Sequence, residues 1–128
     1  MGDIVLGMNI LYYDSDKYGR RITTFIREFA PAHRTEIIFY AKGIAICSLE
    51  DQFSRKTGRN MAQQRAEKVM DLLMNCEFDL EKYVRAYDEQ LCKRQTIQLL
   101  TKEDELSDRE KWIFKRALEK EQKRISKS

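Results

Sequence analysis

The sequence predicts an α+β domain: a small antiparallel β-sheet of three to four strands in the N-terminal half, packed by a long helix and followed by two further helices. Three observations predict it. Up to residue 49 the apolar residues alternate with period two or gather in short β-branched and aromatic runs. From Thr57 the period lengthens to that of a helix. Two later segments open on helix-capping residues, Asp79 and Ser107. The 128 residues suit one domain with its own core, so 1–128 is read as a single unit, with the sheet over 4–49 and helices over 56–75, 79–100 and 107–124.

In chain order, Ile4 to Tyr13 is apolar and β-prone and reads as a strand. Asp14-Ser15-Asp16-Lys17-Tyr18-Gly19 supplies turn formers. Its two acids, two apart, open like a calcium loop, but the twelfth residue from Asp14 is Phe25 where a bidentate Glu is required, so a plain turn is the better reading. Arg20 to Ala30 reads as a second strand, with Ile22, Thr24, Ile26 and Glu28 on one face and Thr23, Phe25, Arg27 and Phe29 on the other, although Ile22, Phe25, Ile26 and Phe29 also fit a helical stripe. Pro31 ends it. Thr35 to Tyr40 and Ile44 to Ser48 read as further strands, with Gly43 as either a hairpin or a bulge in one longer strand.

Ala62, Ala66, Val69, Met70 and Leu73 share one face of the long helix, whose alanines would let it lie close to a sheet. Asn75 is its expected end. After Asp79, the stripe Leu80, Tyr83, Val84, Tyr87 and Leu91 marks a second helix, extended on periodicity to Ile97, Leu99 and Leu100. Ser107-Asp108-Arg109-Glu110 has the Ser-x-x-Glu form of a capping box, and the third helix follows with Trp112, Ile113, Phe114, Ala117, Leu118 and Ile125.

Composition excludes several function classes. At 42% apolar the chain is not a disordered tail, and a net charge of +3 falls short of a dedicated nucleic-acid binder's basic signature. The charge is unevenly spread: residues 54–76 carry five basic and two acidic groups and residues 107–128 eight and four, while 77–106 carry five and eight. Cys47, Cys76 and Cys92 are odd in number and include no Cys-x-x-Cys, which argues against a disulfide framework and a zinc site. His33 is the only histidine, too little for a His-based metal site or triad. No run of eighteen apolar residues and no signal peptide is seen, so a soluble intracellular protein is expected. No cofactor, metal or membrane partner is expected.

Three sets of residues could carry function. The corner Ser54, Arg55, Lys56, Thr57, Gly58, Arg59, with Arg65 further along, sits where the long helix begins. A helix N-terminus leaves amide N–H groups unpaired and bears partial positive charge, so a phosphate or carboxylate would bind there. The plainer alternative is that Arg55 and Arg59 pair with Glu50, Asp51 or the acidic 77–106 segment. The second set is the cationic face Lys111, Lys115, Arg116 and Lys120, joined by Arg109, Lys123 and Arg124; it either meets a partner or is a solvated face laced with Glu119 and Glu121. The third is the aromatic set Tyr12, Tyr13, Tyr18, Tyr40, Tyr83, Tyr87 and Trp112: stacking platforms for bases, or core and protein-contact residues. Asp14, Asp16, Glu50 and Asp51 could in principle build a metal-dependent nuclease centre, but no Pro-Asp-x-Glu-x-Lys-like run accompanies them.

Gly43-Ile44-Ala45-Ile46-Cys47-Ser48, then Asp51-Gln52-Phe53-Ser54-Arg55-Lys56-x-Gly58-Arg59 and Ala62-x-x-Arg65-Ala66, resembles a segment of small bacteriophage accessory proteins. The resemblance implies expression in a bacterial host cytoplasm and a role in binding and disabling a host enzyme or defence complex; it carries no catalytic residue. The expectation is therefore a non-enzymatic inhibitor that docks on a host nucleic-acid-handling or defence (anti-CRISPR-like) complex through basic residues. The alternative is direct binding of DNA, RNA or another phosphate by Ser54, Arg55, Lys56, Thr57, Arg59 and Arg65.

Overall fold

A computed structural model describes residues 4–48, 52, 54–90 and 95–126. Strands β1 (Ile4–Ser15), β2 (Arg21–Pro31), β3 (Phe39–Ile46) and β4 (Ile97–Leu100) form one antiparallel sheet in the order β1-β2-β3-β4. Helices α1 (Arg55–Asn75) and α2 (Leu80–Gln90) lie on one face, and α3 (Asp108–Ser126) lies on the other. The α+β class, the sheet and the long packed helix are as the pattern predicts.

Both faces of the sheet are covered, which explains why β2 is buried or half-buried from Ile22 to Pro31 on both of its faces. Phe25, Phe29, Phe39, Ala41, Ala45 and Ile97 meet α1 on one side. Ile10, Ile26, Tyr40 and Leu100 meet Ile113 and Phe114 of α3 on the other. The division of β2 into two faces agrees with its alternation: Thr23 pairs with Ala45, Phe25 with Gly43 and Phe29 with Phe39. In β1 the register slips between Leu6 and Asn9, so that Gly7 and Met8 together stand against Glu28.

Two segments differ from the sequence expectation. Phe39–Ile46 is one strand in continuous register with β2, so Gly43 is neither a hairpin nor a bulge, and residues 32–37 form turns. β2 ends at Pro31, which has no N–H to offer a ladder, so the residues opposite it gain nothing by extending. The predicted helix over 79–100 also divides. Asp79 caps it as expected, its Oδ1 accepting from the amides of Glu81 and Lys82 at 3.0 and 3.3 Å, but the helix stops at Gln90 and Ile97–Leu100 is the fourth strand. The adjacent apolar pair Leu99-Leu100 serves opposite layers, with Leu99 on the α1 side and Leu100 on the α3 side, which a strand permits and one helical stripe does not. Leu91 and Cys92 lie outside the described residues. α1 ends at Asn75 as expected, though the left-handed residues are Glu77 (φ 55°) and Phe78 (φ 60°).

The need for glycine at 43 comes from packing. A Cβ there would stand 2.0 Å from the carbonyl oxygen of Ala62 and 2.6 Å from the amide nitrogen of Ala66. With Ala41 and Ala45 on the strand and Ala62 and Ala66 on the helix, all buried, the two backbones approach along a seam of minimal side chains. Nothing flexible can give way, because the colliding atoms are backbone. Gly43→Ala should therefore destabilise the fold by about 3 kcal/mol, the upper part of the range for overpacking, read as a lower urea midpoint.

On the opposite face, the capping box of α3 does more than cap. Ser107 and Glu110 exchange the two bonds: the Ser107 amide donates to Glu110 Oε1 at 2.9 Å and the Glu110 amide to Ser107 Oγ at 3.1 Å. The second carboxylate oxygen takes the Tyr12 hydroxyl and the Lys42 ammonium, each at 2.7 Å. Glu110 is 1% exposed. Burial alone would raise its carboxyl, but the bonds from Lys42, the Ser107 amide and Tyr12 outweigh burial and hold it below the ordinary glutamate value. Burial and the bond to Glu110 push Tyr12 up to about 12.

Because the Glu110 pKa is depressed, its contribution to stability is present above the ordinary value of 4.5 and is lost as pH falls through the lower folded value. In Lys42→Met the same carboxylate is buried without its cation, at a cost of about 3 kcal/mol at neutral pH. Its pKa then rises, and protonation relieves the cost. The deficit of this variant against the parent protein, from urea midpoints, should shrink as pH is lowered through 4.5; a constant deficit would show that the pair carries no pH-linked stability.

Candidate nucleic-acid interface

The β1–β2 turn, the end of β3, and the N-termini of α1 and α3 meet at one end of the sheet. The turn is held by Asp16, whose Oδ1 accepts from the amides of Tyr18 and Arg20 at 2.9 Å each and whose Oδ2 meets Arg20 Nε at 2.6 Å. Asp14 is taken by Arg109 at 3.0 Å. These carboxylates stabilise the turn and the start of α3, and among the described residues no group of three His, Cys, Asp or Glu could hold a metal ion. Glu50 and Asp51, the other members of the suggested acidic centre and the suggested partners of Arg55 and Arg59, lie outside the described residues.

Cations and tyrosines interleave here. The Arg55 guanidinium lies 4.8 Å from the Tyr13 ring centroid and that of Arg109 4.7 Å from Tyr12. Tyr18, 61% exposed, has Lys17 at 5.0 Å and Arg20 at 5.5 Å. Such contacts orient a guanidinium without neutralising it. Arg55, Lys56 and Arg59 are exposed and make no ion pair among the described residues. The aromatic set thus separates: Tyr40 and Tyr83 are core, Tyr12, Tyr13 and Tyr87 are half-buried, and Tyr18 stands in solvent.

Ser54 caps α1, its Oγ accepting from the Thr57 amide at 3.3 Å, while the Gly58 amide bonds the Ser54 carbonyl at 2.9 Å. The amides ahead of Thr57 have no intrahelical acceptor. Under this first turn lies a recess of about 270 Å³. It is lined by Ser54, Thr57, Gly58 and Met61 at the start of α1, by Arg21 and Thr23 of β2, by Ala45 and Ile46 of β3, and by Cys47 and Gln52. Thr23 is 1% exposed and its hydroxyl has no hydrogen-bond partner among the described residues. Gly58 is required above it, since a Cβ there would lie 2.6 Å from Thr23 Oγ1.

The expected site residues are therefore not one cluster. Ser54 and Thr57 line the recess, Arg55 reaches over Tyr13, and Lys56 and Arg59 are exposed beside it. Arg65 does not belong to the corner. It stands about 15 Å further along the helix and donates to the Ile44 carbonyl, because at that level α1 runs across β3. Lys111, Lys115, Arg116 and Lys120 are on the opposite face of the sheet. Lys111 and Lys115 line a groove of about 990 Å³ with Leu6, Ile38, Phe114 and Leu118, and with Glu28, Glu103 and Glu121 to offset them; Arg116 stacks on Trp112 at 5.5 Å, and Lys120 is exposed. Burial, then Glu103, raises the Glu28 carboxyl in that groove. Sequence reasoning passed over Arg21 and Thr23; the signal that would have found them is the hairpin register, which sets Thr23 opposite Tyr13.

Fold and site together define an α+β protein with a basic, tyrosine-studded end built around a helix N-terminus. Comparison with protein-family models, with curated proteins and with solved structures finds no match for the chain. Among the described residues no helix is long and apolar enough to cross a membrane.

Proposed function

We propose that this chain is a non-enzymatic binding protein that holds single-stranded nucleic acid across the end of the sheet. Phosphates lie toward the start of α1 and the Arg55 and Arg59 side chains, and a base stacks on Tyr18. The observation that supports this best is the placement of two cations that no carboxylate among the described residues neutralises, Arg55 over Tyr13 and Lys17 beside the exposed Tyr18, at the end of the sheet where α1 begins, while the nearby acids Asp14 and Asp16 are taken by Arg109 and Arg20. An exposed ring favours an unpaired base, whose faces a duplex hides.

The test is titration of a labelled single-stranded oligonucleotide at several salt concentrations. Affinity should fall linearly with salt on logarithmic axes. The double variant Arg55→Ala, Arg59→Ala should lower that slope by about 1.4, about 0.7 for each single-strand phosphate that no longer meets a cation. Tyr18→Ala should weaken binding roughly tenfold without changing the slope. Binding that ignores salt, or that survives the double variant with an unchanged slope, would sink the proposal.

A second reading rests on the groove of α3. Leu118 is 48% exposed beside Lys111 and Lys115, and Leu6 and Ile38 are exposed across from it. A protein partner there suits an accessory protein that disables a nucleic-acid-handling complex of a bacterial host. Leu118→Asp should then abolish co-purification of a bacterial protein from nuclease-treated lysate while leaving oligonucleotide binding intact; capture unaffected by this variant argues against the groove.

A further inference from the structure

We infer that the outer face of α3 is a second stretch of the same binding track and takes the continuation of a single strand held at the end of the sheet. This rests on the nucleic-acid reading above and extends it to another element. α3 meets the sheet through Glu110, Ile113 and Phe114. At 3.6 residues per turn, Arg109, Trp112, Arg116 and Lys120 form a stripe turned away from that contact, and all four are exposed. Of the acids of α3, Glu110 is buried and Glu121 pairs with Arg124. Asp108 and Glu119 remain on the outer side, outnumbered by Arg109, Arg116, Lys120 and Lys123. Neither Arg116 nor Lys120 makes an ion pair among the described residues.

Charge alone would suit any polyanion, and the ring narrows the choice. Trp112 is 59% exposed, with the Arg116 guanidinium 5.5 Å from its ring centroid. An exposed indole beside a cation offers an unpaired base what Tyr18 offers beside Lys17 and Arg20. An acidic peptide would use the cations and gain little from the ring. A lipid surface would need the apolar face of α3, which already lies on the sheet. The two stretches are continuous. Arg109 reaches Asp14 and the Tyr13 carbonyl at 3.0 and 3.2 Å and covers the Tyr12 ring, so α3 begins beside the turn that carries Tyr18. From Trp112 to Arg116 and from Arg116 to Lys120 is about 6 Å each along the helix axis, a step that an extended single strand can follow.

Trp112 is the only tryptophan in the chain, so its emission reports this face alone. The experiment titrates the full chain with an oligothymidylate of about 12 nucleotides, reading tryptophan emission and the salt dependence of affinity. Binding should quench Trp112. The double variant Arg116→Ala, Lys120→Ala should lower the salt slope by about 1.4, and with Arg55→Ala and Arg59→Ala added the fall should reach about 2.8, as one strand spanning both stretches requires. Trp112→Ala should weaken binding about tenfold at unchanged slope. The altered side chains are exposed, so the variants should fold; thermal unfolding alongside the titration checks this. Emission unchanged at saturation, or a slope unmoved by Arg116→Ala, Lys120→Ala, overturns the inference while the reading at the end of the sheet stands. Quenching by a polyglutamate peptide at the affinity of the oligonucleotide assigns the face to an acidic protein and overturns it too. Failure of the oligonucleotide to bind at all removes both readings.

Discussion

The approach of α1 to β3 at Gly43 is the constraint on which the remaining geometry depends. Ala62 and Ala66 meet a strand that presents Ala41, Gly43 and Ala45, so helix and sheet are separated by almost no side-chain volume. A helix that lies this low is fixed in height and in position along its axis, since any slide brings a larger residue onto the glycine. Four residues N-terminal of Ala62, Gly58 then rests on Thr23, and Ser54 begins the helix beside the end of β3. The recess and the placement of Arg55 over Tyr13 follow from the same seam. The candidate site is thus a consequence of packing some 6 Å along the helix axis from it, about one turn.

The other face of β3 is held by different physics. Lys42, adjacent to Gly43, points away from α1 into the α3 layer, where its ammonium meets a carboxylate that is 1% exposed. Buried ion pairs are weak sources of net stability but strong sources of position, because no second arrangement satisfies both charges. Glu110 also closes the capping box and accepts from Tyr12, so one residue sets where α3 starts, which way it faces and how far it sits from β1. Arg109, the preceding residue, is thereby brought to Asp14 and to the Tyr12 ring. β3 is therefore clamped by a dry seam on one side and by a charge network on the other.

Much of this was legible in the chain, and the illegible parts share a cause. The faces of β2, the capping residues Asp79 and Ser107, and the alanine face of α1 are local patterns whose meaning does not depend on neighbours. Gly43 reads as a hairpin or a bulge because a glycine inside an apolar run commonly marks one; only the helix lying above gives it another purpose. Leu99-Leu100 continued a helical stripe in sequence and serves two layers in space. The Ser107–Glu110 box could be read, but Lys42 and Tyr12 could not, since their meeting with Glu110 depends on three separate elements. For the site, the basic corner was visible as composition. Its division into lining residues, stacked Arg55 and outlying Arg65 depends on which side of α1 faces the sheet.

The state of the cations at this end bears on what can bind. A guanidinium paired with a carboxylate is partly spent as a ligand group, whereas one held over an aromatic ring keeps its charge and its outward N–H groups. Arg109 is of the first kind in part, since Asp14 and the Tyr13 carbonyl occupy it. Arg55 is of the second kind: the Tyr13 ring orders its long side chain, and no carboxylate among the described residues neutralises it. Ordering before binding lowers the conformational entropy lost when an anion arrives, which costs roughly 0.5–1.5 kcal/mol for each such side chain immobilised. An exposed arginine prepared in this way, at the positive end of a helix whose leading amides have no intrahelical acceptor, favours an anion over a cation or a neutral apolar ligand. The same reasoning sets the α3 groove apart, because there Glu28, Glu103 and Glu121 share the walls with Lys111 and Lys115 and leave no single sign in command.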